Sequence, residues 1–495
     1  MLRFLSALLI LIVLAIGGLL WWVQDANRLK PQLERALADA LDGEVRIDGD
    51  LSWQLWPPLF ITAHDIHAQQ EETTYQVGLL KLRVDFADLT NPAGDWTVRS
   101  AELTDLKVIE EDDLTHIDAL QVENFKLGEW APFNLRGTSN GTPIEAEGRV
   151  KMLTPSPYEL EIEETWLRSQ ALAARCSGRL SASGKDYDFE EQEGLLPVDT
   201  ALNTDWDLAC TVPELNLQDE TFQNIRITTT NAAGKLVSTA TLEDFFAGRV
   251  QLTTEHTLSA EPAATAWLIK PDLEGVDAQA LLTWLGRPLQ WDGELSLAGT
   301  ISATGNTIDA LTASHKTDLQ FDGGNGTIDI SAIKAQIAQL ARYTGEAGNV
   351  DEWPDQWAYS HLVGRLSAAG ERFDLAFDLD NLAVLADGAY RVTQDQLDVE
   401  ASLTFGNDPA YSSYDVNPLL VGLPIPVDCS GPLAEARCRL DQSKAAQNVG
   451  RALSSGENTA LRNKLEEKID EEVPEAYRDA ARSLLDLLTG GNDAD

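Results

Sequence analysis

Residues whose type and spacing suggest chemistry are rare in this sequence of 495 residues. Of its six histidines, only His64 and His67 lie close together along the chain. Side chains three residues apart on an extended strand face opposite sides of a sheet, so we expect no metal site from this pair. The stretch GGNGTID, which begins at Gly323, resembles a phosphate-binding loop but lacks its final glycine. We interpret it as a turn.

Motifs of enzymes and of cofactor-binding proteins are absent from the sequence as well. It contains no P-loop, no HExxH zinc motif, no GxSxG nucleophile motif and no EF-hand loop. Because there are 80 acidic residues, pairs of carboxylates occur by chance and do not indicate acid–base catalysis. We therefore predict a protein that is not an enzyme, with no catalytic residue, no cofactor and no metal.

The four cysteines suggest disulfide chemistry. Cys429 and Cys438 flank a turn signal at Gly431-Pro432, so a bond between them would join the two strands of a hairpin. Cys176 and Cys210 each lie in a short strand-like run and could face each other across a strand pair. Four cysteines allow three pairings. We expect disulfides, which persist in oxidising compartments.

The charge balance excludes one class of partner. With 37 basic against 80 acidic residues the net charge is -43, and no basic patch is present. Binding to nucleic acid requires clusters of Lys and Arg that neutralise phosphates. We expect no nucleic-acid partner and a strongly hydrated acidic surface.

The N-terminal segment has the features of a membrane anchor. From Phe4 to Val23 the chain reads FLSALLILIVLAIGGLLWWV without a charge, and about 20 apolar residues span a bilayer core. The run continues into two tryptophans, which suit the membrane interface, whereas a cleavable signal would end sooner at small residues. We predict an uncleaved transmembrane helix. Basic residues flank it on both sides, but the cysteine content favours a body outside the cytoplasm.

Period-two alternation dominates the rest of the chain and predicts β-strands. The apolar positions of two runs are Leu80, Leu82, Val84 and Phe86, and Phe373, Leu375, Phe377 and Leu379. Further runs cover Tyr158–Glu163 and Leu397–Phe405, the second after a predicted turn at Asp387-Gly388. Such strands form an antiparallel sheet with one apolar face. A second sheet could cover the apolar face, the sheet could close into a barrel, or it could stay open as an apolar groove. The pattern does not choose among these three architectures.

Helical spacing of apolar residues interrupts the strands in four places. Asn27–Leu41 follows the membrane segment, and Val276–Leu285 and Asp329–Tyr343 lie later, with Asp329 as a predicted N-cap. We expect the last two to cover part of the apolar face. From about Ser443 the period is helical again, and Pro474 suits the first turn of the last helix.

Three stretches in this order resemble the AsmA family of bacterial envelope proteins. The first is the membrane segment followed by LKPQLERALADAL and EVRIDGDLSWQLWPPLFITAHDIHAQ. The second is LEGVDAQALLTWLGRPLQWDGELSLAGTISATGNTIDALTAS with FDGGNGTIDISAIKAQIAQLARY. The third is VNPLLVGLPIPVDCSGPLAEARCRLD before a helical tail. The intervening region 98–259 is similar only in its strand pattern.

The resemblance implies a mainly β fold: an elongated, twisted antiparallel sheet forming an apolar groove, with a few capping helices, an N-terminal transmembrane helix and a C-terminal helical tail. The expected domains are residues 1–24 (anchor), 25–260 and 261–441 (two β regions) and 442–495 (helical tail). The eight alternating apolar residues named above are the candidate lipid groove.

The resemblance also implies a function and partners. It points to an inner-membrane protein with its bulk in the periplasm, which binds or conducts phospholipid between the inner and outer membranes. Outer-membrane or periplasmic proteins are further expected partners. The alternative is a structural factor for outer-membrane assembly that carries no lipid.

Overall fold

The fold is mainly β and consists of two compact units. The computed structural model describes residues 26–31, 34–35, 38, 43–54, 59–70, 73–84, 97–110, 113–139, 141–155, 157–169, 172–182, 194–196, 198–259, 261, 264–287, 289–331, 334–335, 337–338, 350, 352–411, 420–433, 436–455 and 459–488. Unit 1 comprises Met1–Tyr187 and Thr200–Ala233, and unit 2 comprises Asp188–Asp199 and Gly234–Asp495. The predicted transmembrane helix, Phe4 to Val23, lies outside the described residues. Within them, no helix is both long and apolar enough to cross a membrane.

Unit 1 contains twelve described strands. They are β1 (Glu44–Ile47), β2 (Leu51–Gln54), β3 (Leu59–Gln70), β4 (Thr73–Val84), β5 (Thr97–Glu110), β6 (Asp113–Lys126), β7 (Ala131–Ser139), β8 (Thr142–Pro155), β9 (Tyr158–Ser169), β10 (Ala173–Ala182), β11 (Thr204–Leu217) and β12 (Glu220–Ala232). A 3-10 turn at Ala26–Leu29 precedes them, and helix α1 (Val198–Asn203) precedes β11. From β3 to β12 each strand pairs antiparallel with the next, while β1 and β2 both pair with β3. The predicted antiparallel meander is confirmed.

The strands of unit 1 do not alternate strictly. On β3, the buried residues Ala63 and Ile66 lie three positions apart yet belong to one apolar cluster, so they share a face. Between them Asp65 has a φ of 50°, a left-handed conformation that Asp tolerates better than most residues. This single residue reverses the phase of alternation.

The neighbouring strands make the same three-residue step at the same level. Val77 pairs with Ile66 and Leu80 with Ala63, so β4 follows the change of phase on β3. On β5, Asp105 has a φ of 53° at this level. We call the level marked by Asp65, Gly78 and Asp105 the crease. Neighbouring strands make this step together and remain in register across the crease. One face of the sheet therefore stays apolar on both sides of it.

Unit 2 contains thirteen described strands and five helices whose bounds are described. The strands are β13 (Lys235–Phe245), β14 (Gly248–Thr257), β15 (Ala266–Asp277), β16 (Trp291–Thr304), β17 (Lys316–Asp322), β18 (Gly326–Asp329), β19 (Gln356–Tyr359), β20 (Leu362–Ala369), β21 (Arg372–Leu379), β22 (Leu382–Arg391), β23 (Gln396–Phe405), β24 (Ile425–Gly431) and β25 (Arg437–Leu440). The helices are α2 (Ala278–Trp284), α3 (Ile308–Ser314), α4 (Gln442–Ser455), α5 (Thr459–Glu472) and α6 (Glu475–Leu488).

The sheet of unit 2 branches at β16. Its first residues, Trp291–Gly293, pair with β18, which pairs with β19. The rest of β16 pairs with β17, and β17 pairs with β20, so that β18 and β19 leave the main succession of strands. From β20 the strands again pair in chain order to β25.

The branch covers part of the main sheet. Trp353 and Trp357 pack against Phe405, with ring centroids 5.7 and 6.4 Å from it. Ile330 and Ile337, from the predicted helix Asp329–Tyr343, are buried in the same cluster. We call β18, β19 and the described residues between them the cap. The expectation that this segment covers the apolar side is confirmed for its described residues.

The other predicted helices of unit 2 are present, with one change of boundary. Helix α2 begins after Asp277, whose carboxylate accepts a hydrogen bond from the Ala280 N–H at 2.9 Å. The tail from Gln442 forms α4 to α6, and Pro474 directly precedes α6. The helical tail is confirmed as far as Leu488.

The predicted turn at Asp387-Gly388 is wrong, because both residues lie inside β22. A Cβ on Gly388 would stand 2.4 Å from the Asp398 carbonyl oxygen and 2.9 Å from Val399 Cα. The glycine thus permits close approach of β23 and does not reverse the chain. The actual reversal between β22 and β23 is a 3-10 turn at Val392–Gln394, followed by Asp395 with a φ of 46°.

Both expected disulfides are present. Cys176–Cys210 joins β10 to β11, and Cys429–Cys438 joins β24 to β25. In each case the two cysteines are directly paired in the strand register. Each bond therefore fixes the alignment of one strand pair.

Candidate functional site

The most extensive feature of unit 1 is a row of apolar side chains that crosses nine strands. Successive members are directly paired in the strand register, so they share one face. The row, which we call ladder 1, consists of Leu51, Ala63, Leu80, Leu103, Leu120, Leu135, Ala146, Leu167 and Ala174. Eight inter-strand spacings of about 4.8 Å give it a length of roughly 40 Å.

Ladder 1 is buried at its ends and accessible in its middle. Leu51 and Ala63 are 5% and 3% exposed, and Ala174 is 7% exposed. Leu103, Leu120 and Leu135 are half-buried, and Leu167 is 43% exposed. Within the described part of the chain, β5 to β8 contact chiefly their paired neighbours in the sheet. The middle of the ladder is thus an apolar surface that the described elements leave accessible.

The opposite face of the same strands is polar. The directly paired residues there are Ser52, Thr62, Lys81, Glu102, Gln121, Asn134, Glu147, Trp166, Arg175 and Thr211. Trp166, the one apolar member, lies beneath the Arg168 and Arg175 guanidinium groups at 5.2 and 5.9 Å. The two faces of this sheet therefore differ sharply in polarity.

Hydroxyl groups border the apolar face of unit 1. Thr115, Ser139 and Thr142 are successive paired residues one row beyond Ile117 and Ile144. The strip between this border and the row of Leu82 is roughly 20 Å wide, because six or seven residues separate the two rows at about 3.3 Å per residue. An amphiphilic molecule would find apolar contacts in the strip and hydrogen-bonding groups at its edge.

Unit 2 has a corresponding row across ten strands. Its members, which we call ladder 2, are Leu242, Val250, Leu273, Leu297, Phe321, Gly364, Phe377, Val384, Leu403 and Ile425. Ladder 2 is covered at its C-terminal end, where Val384, Leu403 and Ile425 belong to the cluster beneath the cap. Val250, Leu273 and Leu297 are half-buried.

The first set of predicted groove residues lies partly on ladder 1. Leu80 is a member, and Leu82 occupies the next row of the same face, paired with Ile61 and Ala101. Val84 is the last residue of β4, where it pairs with Leu59 and Val98. Phe86 lies outside the described residues.

The second set occupies one face of β21, with different degrees of burial. Phe373 and Leu375 are half-buried, while Phe377 packs partly against the core of unit 2. Leu379 is 3% exposed and belongs to that core. Leu379 therefore packs inside the protein and is not available to a ligand in this structure.

Sequence reasoning missed most of ladder 1. Leu103, Leu120 and Leu135 fall in the region whose strands were recognised only as a general pattern. Strict period two fails there because the crease inserts a three-residue step, as between Leu103 and Leu106. The signal in the sequence that indicates such a step is an Asp or Gly between two short runs of alternating residues.

Charged side chains contact one another on the polar face beside the crease. The His116 Nε2 atom lies 2.8 Å from Asp105 Oδ1, and Lys107 Nζ lies 3.6 Å from it. The hydrogen bond from His116 lowers the pKa of the Asp105 carboxyl below its ordinary value. Among the described residues, no group of three or more His, Cys, Asp or Glu side chains is arranged to hold a metal ion.

A cleft of about 660 Å³ lies in unit 2. Most of its lining comes from rows opposite ladder 2, including Asp272, Gln320 and Arg365. Arg365 donates two hydrogen bonds to Asp318, of 2.8 and 2.6 Å, which lower the pKa of that carboxyl. The cleft is open, and its accessible lining is more apolar than polar.

One buried titratable group lies on the apolar side of unit 2. His256 is 5% exposed and packs edge-on against Trp267, with ring centroids 4.4 Å apart. Burial lowers the pKa of the His256 imidazole below its ordinary value of 6.5. The ring is therefore neutral at physiological pH and behaves as part of the apolar packing.

Comparison with known proteins gave no relative. No model of a protein family, no curated protein and no solved structure matches the chain.

Proposed function

We propose that this chain binds phospholipid through its acyl chains on the apolar face of its sheet, as an envelope protein of the AsmA type. The observation that carries the proposal is ladder 1, an apolar row over nine strands whose middle is accessible and whose reverse face is polar. Monomeric proteins seldom leave so extended an apolar surface without an occupant. Each methylene buried on it would contribute about 0.8 kcal/mol.

The proposal extends to location and role. An N-terminal span at Phe4–Val23 would tether the chain to the inner membrane with the sheet in the periplasm. Two disulfides in the described residues support an oxidising compartment. Acyl chains would occupy the accessible strip while headgroups stay near the hydroxyl border and water. Such a groove would serve movement of phospholipid between inner and outer membranes, and no cofactor is needed for it.

The binding proposal is tested by a double substitution in the middle of ladder 1. Leu103→Glu with Leu120→Glu places two carboxylates at directly paired positions of the apolar strip, where hydrocarbon cannot solvate them. We expect the purified full chain to lose the phospholipid that co-purifies with the unmodified protein, measured by mass spectrometry of extracted lipid.

The matched control is Gln121→Glu. It adds a carboxylate on β6 next to Leu120 but on the polar face, where Gln121 pairs with Glu102 and Asn134. Lipid content should be unchanged in this variant. Absence of lipid from the unmodified chain, or equal lipid in the double variant, would sink the proposal.

The alternative is an assembly factor for the outer membrane that carries no lipid. It predicts that the double variant, once shown to be folded by circular dichroism, leaves outer-membrane permeability normal in cells. Loss of the permeability barrier with retention of folding supports lipid binding as the cellular role.

A further inference from the structure

Ladder 2 is divided into an open part and a covered part. Leu403 and Ile425 are 3% and 0% exposed beneath the cap and helix α4. On β14, by contrast, Val250 is half-buried and Leu252, two residues along the same face, is 39% exposed. We call Val250, Leu273, Leu297 and Phe321, on β14 to β17, the open window.

The change from open to covered takes place at Gly364 on β20. This glycine lies between Phe321 and Phe377 in the strand register. A Cβ on it would stand 2.3 Å from Phe321 Cζ and 2.6 Å from Phe377 Cβ. The space that a side chain would need is filled by the two phenylalanines, which both pack partly against the core. They close the open window on its C-terminal side.

The cap that covers the rest of ladder 2 is held by polar contacts to its surroundings. Tyr359 donates a hydrogen bond to the Gly323 carbonyl oxygen at 3.2 Å and accepts one from the Trp291 indole. Inside the cap, Lys334 Nζ lies 3.1 Å from Asp355 Oδ1. Together with the packing of Trp353 and Trp357 on Phe405, these contacts make the cap a part of the core.

The chemistry of the open window favours a hydrocarbon occupant over a peptide. Strands β14, β15, β16 and β17 each pair with a neighbour on both sides, so their backbone groups are already hydrogen-bonded. An extended peptide could not add to the sheet here, and lying on this face it would bury its own N–H and C=O groups without partners, which is costly. An acyl chain has no such groups to satisfy.

We infer that the open window is an acyl-chain binding site in unit 2 and that it ends at Phe321 and Phe377, so that the ladder 2 residues of β22 to β24 are closed to lipid. The inference rests on the proposed function and deepens it, because it assigns where an occupant of unit 2 can lie. A lipid carried by this unit must join or leave it across β14 to β17.

The test uses the full chain in its own membrane extract and a phosphatidylethanolamine that carries a diazirine at the end of one acyl chain. After illumination, labelled peptides are located by mass spectrometry. We expect label on peptides of β14 to β17 and of β5 to β8, and none on peptides of β22 to β24. Label on Val384, Leu403 or Ile425 would overturn the inference.

The remaining outcomes separate the two proposals. Label confined to unit 1 contradicts this inference and leaves the proposed function standing, whereas no label anywhere contradicts both.

A pair of variants tests the position of the site: Leu297→Glu should remove label from β14 to β17 and retain it on unit 1. Its control, Gln320→Glu, lies on the opposite face between Ala298 and Arg365 and should leave labelling unchanged.

Discussion

At the scale of single residues, His256 combines burial with the capacity to take up a proton. Its ring contacts Trp267, and its Nδ1 atom has no hydrogen-bond partner among the described residues. A charge at this position would be desolvated without compensation, which is why its pKa is lowered. The folded state therefore binds this proton less readily than the unfolded state.

The sign of the pH dependence follows from this difference. Above pH about 7.5 the imidazole is neutral in both states, and as pH falls through about 6.5 the unfolded state gains a proton first. We expect His256 to lower the stability of unit 2 between pH about 7.5 and about 5.5. In His256→Leu the loss of melting temperature over this range should shrink. An identical loss in both proteins would contradict the assignment.

At the scale of elements, the disulfides and the crease decide how strands are aligned. Cys176–Cys210 closes a sequence separation of 34 and Cys429–Cys438 one of 9. A chain-entropy estimate gives about 3.8 kcal/mol for the longer loop and about 2.6 kcal/mol for the shorter. The first bond belongs to unit 1 and the second to unit 2, so each acts on a different unit.

Removing each bond separately should have a local effect. Cys176→Ala with Cys210→Ala should raise the amide exchange rates of β10 and β11, while Cys429→Ala with Cys438→Ala should do so for β24 and β25. The first pair should lose about 1 kcal/mol more stability than the second. Hydrogen exchange read by mass spectrometry checks both statements. Equal loss of protection throughout the chain after either change would contradict them.

Elements were more predictable from sequence than the site was. The runs at Tyr158–Glu163 and Leu397–Phe405 are strands, and Ile330 and Ile337, two members of the predicted helical stripe, are buried as expected. Gly388 misled because a glycine that permits close strand approach looks like a turn. The residues of ladder 1 were not predicted as a row, because the row depends on the pairing of the strands and on the left-handed conformation of Asp65.

At the scale of the whole molecule, charge opposes compactness. A net charge of -43 is spread over surfaces whose ion pairs are mostly solvent-accessible, such as Arg149–Glu163 at 2.7 Å. Each exposed pair contributes about 0 to 1 kcal/mol, so pairing does not offset the excess of carboxylates. Repulsion among like charges should therefore dominate the response to salt.

Added salt should stabilise the protein. Raising NaCl from about 0.01 M to about 0.15 M shortens the Debye length from about 30 to about 8 Å, which screens the repulsion. We expect the melting temperature measured by calorimetry to rise over this range. A fall would show that ion pairs outweigh the net charge. Sodium sulfate is unsuitable as the salt, because sulfate also strengthens apolar burial.

The crease bears on how such a chain tolerates insertions and deletions during evolution. Loss of one residue from an ordinary strand turns every later side chain to the other face and would place the leucines of ladder 1 in water. At the crease, a single left-handed residue already reverses the alternation, as Asp65 does between Ala63 and Ile66. Gain or loss of such a residue can compensate a length change elsewhere in the strand. Distant relatives of this sheet should therefore differ in strand length by one residue at the level of Asp65, Gly78 and Asp105 while keeping the same apolar face.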